Sequence, residues 1–307
     1  DGTLVGDHKF NVKITGSQTN AGSSANTFTA RVYSGTVDMT ENYEITRING
    51  TLTVEPVKIT VRSDSAEKIY DGTPLVCARV SIEKGSLVAG HTLRAYAQTM
   101  RTDVGSSENR VRISVTADGG EDVTANYEVT LVCGTLTVRS RPITVRSESA
   151  EKVYDGKPFV WERGSVTEGS LAAGHRLAIH AVDPPTDAGK SRNRFTVTIT
   201  DARGAYVTSN YTIKTADGTL TIKKRPITVE SSSGQKVYDG TPLTSPECHI
   251  KENGGTLAEG QRLSAVATGS RTEVGTSNNP FTAAVIDGAG RDVSVNYDIT
   301  RVTGSLT

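Results

Sequence analysis

A phrase that joins a lysine, a tyrosine ring and a carboxylate occurs three times in this chain. One copy is Glu151-Lys152-Val153-Tyr154-Asp155-Gly156-Lys157-Pro158, and the others occupy 67–74 and 235–242, 84 residues to either side. Exposed tyrosines repeated beside carboxylates would form an aromatic platform for sugars. The alternative is architectural, because Asp, Gly and Pro are turn residues and a small repeat needs tyrosine rings in its core. We favour the architectural interpretation for the signature residues Tyr70, Asp71, Gly72, Tyr154, Asp155, Gly156, Tyr238, Asp239 and Gly240.

A second phrase, Asn-Tyr, recurs in step with the first. Its copies are spaced by 84, 84 and 86 residues, and a period of this kind identifies a tandem array. The copies are Asn42-Tyr43, Asn126-Tyr127, Asn210-Tyr211 and Asn296-Tyr297. The array predicts a partial repeat at 1–54, which lacks its front half, and further repeats at 55–138, 139–222 and 223–307. Because the chain begins inside a repeat and stops inside a strand phrase, we expect it to be a fragment of a longer protein.

Apolar and polar residues alternate along most of each repeat, which is the pattern of strands with one buried face. Ile59-Thr60-Val61 opens the second repeat in this way, and Val111, Ile113 and Val115 continue it. Gly, Ser, Thr and Val are abundant, as in proteins with many short strands and turns. We therefore predict an all-β fold: a tandem array of 84-residue, β-rich modules. An immunoglobulin-like β-sandwich is the alternative.

A glycine separates the last two predicted strands of each repeat. In the second repeat, the strand that begins at Tyr127 is followed by Cys133-Gly134 and then by the strand of Leu136. Equivalent dipeptides include Asn49-Gly50 and Asp217-Gly218, which favour a two-residue hairpin turn. A glycine bulge inside one long strand is the alternative. The hairpin would place Cys133 near the surface.

The joints between repeats are short and contain proline but no glycine. They are Glu55-Pro56-Val57-Lys58, Arg139-Ser140-Arg141-Pro142 and Lys223-Lys224-Arg225-Pro226. A flexible linker would be longer and rich in Gly and Ser. We therefore expect stiff junctions and an elongated rod. We also expect the chain to be a monomer.

Charge and composition argue against several partners. The chain has 34 basic and 34 acidic residues, so it offers no basic face to nucleic acid or to an anionic membrane surface. No apolar run approaches the roughly 18 residues of a membrane span. His91 and His175 share a position after Gly, His8, His180 and His249 do not recur with them, and none has metal-ligand spacing. The Asp-rich turns hold too few oxygens for calcium. We predict no metal and no cofactor.

The cysteines provide no disulfide framework. Cys77, Cys133 and Cys248 stand at positions that are not equivalent between repeats. Cys77 and Cys133 fall in the same repeat, so pairing of these two stays open.

A succession of five phrases resembles a known family. Lys-X-Tyr-Asp-Gly-X-Pro, Gly-His-X-Leu, Thr-Asp-X-Gly, Asn-Tyr-X-Ile and Gly-Thr-Leu-Thr-Ile stand at 152–158, 174–177, 186–189, 210–213 and 218–222. They resemble the tandem YDG, or mostly-β-grasp, repeats of Gram-positive bacterial cell-surface proteins, over essentially the whole chain. The resemblance implies an all-β or β-grasp-like module in the stalk or adhesin of an extracellular, wall-anchored protein. It carries no catalytic residues over to this sequence.

An analogy with other Gram-positive surface domains suggests one covalent feature. Some of these domains form a Lys–Asn isopeptide crosslink beside a buried carboxylate. Lysine and asparagine recur here 58 to 60 residues apart in each complete repeat. The candidate pairs are Lys68 with Asn126, Lys152 with Asn210, and Lys236 with Asn296. The alternative is a solvated lysine and an asparagine that bonds backbone at a turn.

We predict a non-catalytic stalk or spacer that projects a functional domain from the bacterial cell wall. No catalytic constellation stands out, so an enzyme is not expected. The alternative is that the repeats themselves bind a host protein or glycan. Contact residues would then be those that break the repeat: Trp161, Pro184-Pro185, Tyr206 and the insertion at 252–255. Trp161 could equally fill space in the core.

Overall fold

The computed structural model describes residues 2–307. Its regular structure consists of β-strands, and the helices within this range are short 3-10 turns at Thr40–Asn42, Thr124–Asn126, Thr208–Asn210 and Ser294–Asn296. The predicted all-β class is confirmed. Contacts divide the chain into two compact units, Asp1–Arg139 and Ser140–Thr307.

The first repeat has five strands. They are β1 (Lys9–Ile14), β2 (Gly22–Asn26), β3 (Phe28–Ser34), β4 (Val37–Asp38) and β5 (Gly50–Val54). β3 pairs antiparallel with β1 and with β4, and β2 pairs antiparallel with β5. Residues 43–49 are not part of a strand.

The second repeat shows the arrangement of a complete repeat. Its strands are β6 (Val57–Ser63), β7 (Ala66–Ile69), β8 (Val80–Lys84), β9 (Thr92–Ala97), β10 (Gly105–Asn109), β11 (Val111–Thr116), β12 (Tyr127–Val132) and β13 (Gly134–Arg139). The first strand, β6, lies between antiparallel β8 and parallel β12. β13 lies between parallel β7 and antiparallel β10, and β9 pairs with β11.

The third repeat follows the same order. Its strands are β14 (Arg141–Ser147), β15 (Ala150–Val153), β16 (Gly164–Gly169), β17 (Arg176–Ala181), β18 (Gly189–Asn193), β19 (Phe195–Thr200), β20 (Tyr211–Ala216) and β21 (Gly218–Lys223). β14 lies between antiparallel β16 and parallel β20, and β21 lies between parallel β15 and antiparallel β18.

The fourth repeat departs from this order at one point. Its strands are β22 (Arg225–Ser231), β23 (Cys248–Ile250), β24 (Arg262–Ala267), β25 (Ser277–Asn279), β26 (Phe281–Ile286), β27 (Tyr297–Val302) and β28 (Gly304–Leu306). β22 again lies between an antiparallel neighbour, β23, and a parallel one, β27. Within residues 223–307, a single bridge between Gly234 and Leu306 stands where the third repeat has the β15–β21 ladder.

The first strand of each complete repeat sits at the centre of its sheet because its alternation is strict. Ile59 and Val61 of β6 are 3% and 0% exposed, and Arg62 between Val61 and Ser63 is exposed. Burying such a side chain contributes about 1.5–3 kcal/mol. The equivalent buried residues are Ile143, Val145, Ile227 and Val229.

The chain does not reverse direction between β12 and β13, so the predicted hairpin is wrong. Both run parallel to their neighbours, β6 and β7, and among the described strands they do not pair with each other. Gly134 is required at the kink because a Cβ there would lie 2.5 Å from the carbonyl oxygens of Ser63 and Asp64. Close backbone approach, rather than a reverse turn, explains this glycine. The predicted exposure of Cys133 is confirmed.

The joint between the third and fourth repeats is a single residue. β21 ends at Lys223 and β22 begins at Arg225, so strands occupy most of the predicted four-residue joint. A cluster of buried side chains continues across it, from Tyr154 and Leu220 to residues of the fourth repeat such as Tyr297. Within Ser140–Thr307, the two repeats therefore share a core.

Candidate functional site

The lysine of each Tyr-Asp-Gly phrase is held by its own loop. Lys68 Nζ donates to Asp71 Oδ1 at 2.6 Å, to the Thr73 carbonyl oxygen at 2.5 Å and to Thr73 Oγ1 at 2.8 Å. Asp71 Oδ1 also accepts the backbone N–H of Thr73 at 2.9 Å, which forms an Asx-turn. The equivalent pairs are Lys152 with Asp155 and Lys236 with Asp239, at 2.6 and 2.7 Å.

These contacts favour the charged form of the loop carboxylates. The hydrogen bond from the Lys68 ammonium, followed by that from the Thr73 backbone N–H, lowers the pKa of Asp71 to about 2. The Lys236 ammonium lowers the pKa of Asp239 in the same way. A carboxylate with so low a pKa is a weak base at neutral pH. The loop chemistry therefore suits a fixed turn better than proton transfer.

The three loop tyrosines differ in exposure. Tyr70 and Tyr154 are each 2% exposed, whereas Tyr238 is 59% exposed. Tyr154 packs edge to face on Tyr297 of the fourth repeat, with ring centroids 5.5 Å apart. Its hydroxyl accepts a hydrogen bond from Gln261 Nε2 at 2.9 Å. A sugar platform needs accessible rings, and only Tyr238 of these three provides one.

In each complete repeat, the tyrosine of the Asn-Tyr phrase is the first residue of a strand, and its hydroxyl is hydrogen-bonded. The Tyr127 hydroxyl accepts the backbone N–H of Val88 at 3.0 Å and bonds His91 Nδ1 at 2.6 Å. The equivalent sets are Tyr211 with Ala172 and His175, and Tyr297 with Ala258 and Gln261. Tyr127, Tyr211 and Tyr297 are 7%, 7% and 3% exposed, so these rings belong to the cores of the complete repeats.

His8 occupies the same position in the first repeat, although the sequence did not predict it. Its Nδ1 lies 2.7 Å from the Tyr43 hydroxyl, which also accepts the Val5 backbone N–H at 3.0 Å. Asp7 stands where the second repeat has glycine, and this hides the Gly-His motif. The spacing would have revealed it, since His8 precedes Tyr43 by 35 residues and His91 precedes its tyrosine by 36.

The asparagine of the phrase contacts the preceding repeat within each compact unit. Asn126 Oδ1 accepts the Ala21 backbone N–H at 2.7 Å, and Asn126 Nδ2 donates to Asn20 Oδ1 at 3.0 Å. Asn296 makes the same two contacts with Ala188 and Asp187, at 2.6 and 2.9 Å. Both side chains thus link consecutive repeats. Asn210 and Asn296 are buried, at 4% and 1% exposure, and Asn126 is half-buried.

The structure does not bring the crosslink candidates together in the second and fourth repeats. Lys68 and Lys236 lie against their own loops, while Asn126 and Asn296 face the preceding repeat. Lys152 likewise lies against its loop. The isopeptide bond stays a prediction, and intact mass checks it because each bond would release one ammonia.

A buried polar network at the kink of the last strand was not predicted from the sequence. Asn109, which is fully buried, donates from Nδ2 to the carbonyl oxygens of Asp64 and Cys77 at 2.8 and 3.0 Å. Ser63 Oγ donates to the Asn109 carbonyl at 2.6 Å and accepts the Gly134 N–H at 2.9 Å. Equivalent residues are Ser147, Asn193 and Gly218, and Ser231, Asn279 and Gly304. The recurrence of these residues at the repeat period is the sequence signal that could have revealed the network. Buried polar groups need hydrogen-bond partners, so residues that recur together are candidates for such a network.

Trp161 packs against its own repeat. Its ring lies 6.2 Å from that of Phe159, and the Arg163 guanidinium lies 4.9 Å from the ring centroid. It borders the core shared by the third and fourth repeats. This placement explains Trp161 as a residue that packs within its own repeat. Its predicted role in contacting a partner stays a prediction.

Three further properties hold for the described chain. Cys77, Cys133 and Cys248 are free, so the Cys77–Cys133 pair is not formed in this structure. Within residues 2–307, no group of three or more His, Cys, Asp or Glu side chains is arranged to hold a metal ion. None of the helices in that range is long and apolar enough to cross a membrane.

No known protein-family model matches this chain, and no curated protein matches it in sequence. Among solved structures, the crystal structure of Drosophila N-cadherin EC1-4 aligns with 92% of this chain and 83% of that chain, at 9% identity and a TM-score of 0.22. A similarity at this TM-score does not establish a common fold.

Proposed function

We propose that this chain is a non-catalytic, load-bearing spacer. In this proposal its repeats belong to the YDG type of bacterial cell-surface protein and hold a functional domain away from the cell wall. The observation that carries the proposal is the parallel pairing between the first strand and a late strand of every complete repeat.

This pairing places the strands that receive a pull side by side. In the third repeat, β14 and β20 pair from Arg141 with Tyr211 to Arg146 with Ala216. A pull on the two ends of the repeat acts on these parallel strands in opposite directions along their length. The load therefore shears the ladder, and its hydrogen bonds resist together instead of opening one at a time.

The joint within Ser140–Thr307 supports the same role. Lys224 alone separates β21 from β22, and Asn296 bonds the loop at Asp187 and Ala188. The core shared across this joint resists swivelling of one repeat on the other. A spacer under tension needs junctions of this kind. The family resemblance of the sequence phrases supports an extracellular, wall-anchored location.

Single-molecule pulling on the full chain tests the proposal. We expect separate unfolding peaks from the complete repeats, each releasing roughly 280 Å of chain at about 3.3 Å per residue. The forced-unfolding rate reports the barrier that the sheared ladder provides. A featureless extension at low force would contradict a load-bearing role.

The control applies an unzipping load to an antiparallel pair of strands in the same repeat. Arg176 and Thr200 face each other at one end of the β17–β19 pair. With handles at Arg176→Cys and Thr200→Cys, and the native cysteines replaced by serine, a pull unzips this pair bond by bond. We expect a clearly lower force than for the chain ends. Equal forces in the two geometries would argue against the shear mechanism.

A second candidate function is binding of a host protein or glycan through Tyr206, which is 80% exposed. Its counterparts Asp122 and Asp292 accept the backbone N–H groups of Thr124 and Ser294 at 2.9 and 2.8 Å. The third repeat thus has an exposed ring in place of a turn-capping carboxylate. Glycan and host-protein arrays should compare the full chain with Tyr206→Asp, and equal signals from the two would remove this candidate.

A further inference from the structure

The Tyr-Asp-Gly loop of the fourth repeat lies on an uncovered surface, which we call the open face. It consists of residues 235–238, Leu243 and the loop 271–275, around a cavity of about 270 Å³. Val237, Tyr238 and Val274 are 90%, 59% and 83% exposed. We infer that the open face is a docking site for another repeat of the same class, seated on the fourth repeat as the fourth is seated on the third. The inference does not depend on the load-bearing role.

The first line of evidence is the tyrosine contact that covers the equivalent face of the third repeat. There, Tyr154 is 2% exposed because Tyr297 and Gln261 of the fourth repeat lie against it. Gln261 Oε1 in turn accepts the Tyr297 hydroxyl at 2.6 Å, so the two residues act as a paired donor and acceptor. Tyr238 presents the same ring and hydroxyl to solvent.

The second line of evidence comes from the neighbouring loop. In the third repeat, the Ala188 backbone N–H and the Asp187 carboxylate bind the side chain of Asn296. Val274 and Glu273 hold these positions in the fourth repeat, and both are exposed. A carboxylate and a backbone N–H at this spacing match one asparagine amide, which supplies one acceptor and one donor.

The loop glycines agree with this assignment. A Cβ on Gly156 would lie 3.3 Å from Gln261 Nε2 and 3.5 Å from Ala258 Cβ, so the fourth repeat approaches the third closely there. A Cβ on Gly240, the equivalent glycine, would meet open space. Because φ is 79° at Gly240 and 77° at Gly156, the loop has the same backbone conformation whether or not a repeat covers it.

A following repeat fits better than a second copy of the chain. The first repeat of a second copy would offer Asn42, Tyr43 and His8. It has no counterpart of β22 among its described residues, and so none of Arg225, which donates to the Tyr154 carbonyl at 3.3 Å. A free copy also loses translational and rotational freedom on binding, whereas a covalently continuous repeat does not.

The test extends the full chain by a copy of residues 222–307 placed directly after Thr307. The copy carries Tyr238→Phe and Val274→Ile, so that its own uncovered face gives no signal at these two positions. Hydrogen exchange of the Val274 amide and nitration of Tyr238 report whether the open face is covered. We expect the Val274 amide to become as protected as the Ala188 amide, and nitration of Tyr238 to fall to the level of Tyr154. An open face that stays as reactive as in the unextended chain would overturn the inference.

Two variants separate docking from other causes. An appended copy carrying Asn296→Ala keeps the tether but loses the loop contact, and it should leave Val274 less protected. An extension by a copy of residues 222–224 alone supplies the strand partners that Lys152 and Val153 have in the third repeat. Full protection by this short extension would overturn the inference. So would concentration-dependent protection of the unextended chain with a dimer in sedimentation, because the occupant would then be a second copy.

Discussion

The segment that begins at the tyrosine of the Asn-Tyr phrase has different conformations in the first and second repeats. Residues 43–48 correspond to β12, which spans Tyr127–Val132, yet they lie outside any strand. β12 pairs with β6, and the described part of the first repeat has no equivalent of β6. Ile48 is accordingly 84% exposed, while its counterpart Val132 is half-buried. The segment becomes a strand because it pairs in parallel with β6, the first or front strand of the repeat, more than because of its local propensity.

The front strand also supplies the core on which the other strands pack. Phe10 in β1 is 50% exposed, whereas Leu93, its counterpart in β9, packs against the cluster that contains Ile59 and Val61. The same apolar face is therefore open in the first repeat and covered in the second. This difference yields predictions with matched substitutions at equivalent positions.

The largest effect is expected for a leucine near the end of each repeat. Leu136 is 0% exposed, and its counterpart Leu52 is half-buried. Leu136→Ala should lower the free energy of unfolding of the second repeat by about 2–5 kcal/mol. Leu52→Ala should cost clearly less, because its side chain already contacts solvent. Urea unfolding followed by hydrogen exchange in each repeat measures both, and equal costs would show that the first repeat is as well packed as the second.

A smaller but more specific effect is expected at the kink glycine. Gly134→Ala places a methyl group 2.5 Å from two carbonyl oxygens, which should cost about 1–3 kcal/mol as the backbone shifts. In the first repeat, the nearest atom to a Cβ on Gly50 is Asn26 Cβ at 4.0 Å, so Gly50→Ala should be nearly neutral. Thermal unfolding of the two variants checks this. A large cost at Gly50 would mean that the kink does not depend on the front strand.

The smallest effect is an acid dependence contributed by the Tyr-Asp-Gly loop. The pKa of Asp71 is about 2 in the folded chain, below its value of roughly 3.9 when unfolded. Stability from the Lys68 contact is therefore present above about pH 4 and lost as the pH falls toward 2. Asp71 is partly exposed, so the loss is modest.

Hydrogen exchange between pH 5 and pH 2 measures this loss repeat by repeat. Asp71→Asn should reduce the dependence in the second repeat, while Asp155→Asn, in the loop of the third repeat, should leave the second repeat unchanged. The first repeat lacks the loop, but hydrogen bonds from Thr40 lower the pKa of its Asp38. Its acid dependence should therefore be the same with and without Asp71→Asn. An unaltered profile in Asp71→Asn would assign the acid sensitivity to other groups.

The sequence by itself determined the features that are local or periodic. Spacing of the Tyr-Asp-Gly and Asn-Tyr phrases established the tandem array, and strict alternation around Ile59 and Val61 established buried strands, because side-chain direction in a strand has a period of two. The turn chemistry of Asp71 and Gly72 was also readable, since it depends on neighbouring residues along the chain.

Only the tertiary structure decided what depends on contacts between distant segments. Gly134 looked like a hairpin residue until its approach to Ser63 and Asp64 showed a kink between parallel pairs. Nearly identical loops bury Tyr154 and expose Tyr238, because one has a repeat seated on it and the other does not. The physical reason is the same in both cases: a local sequence specifies a conformation, but its burial depends on the segments that pack against it.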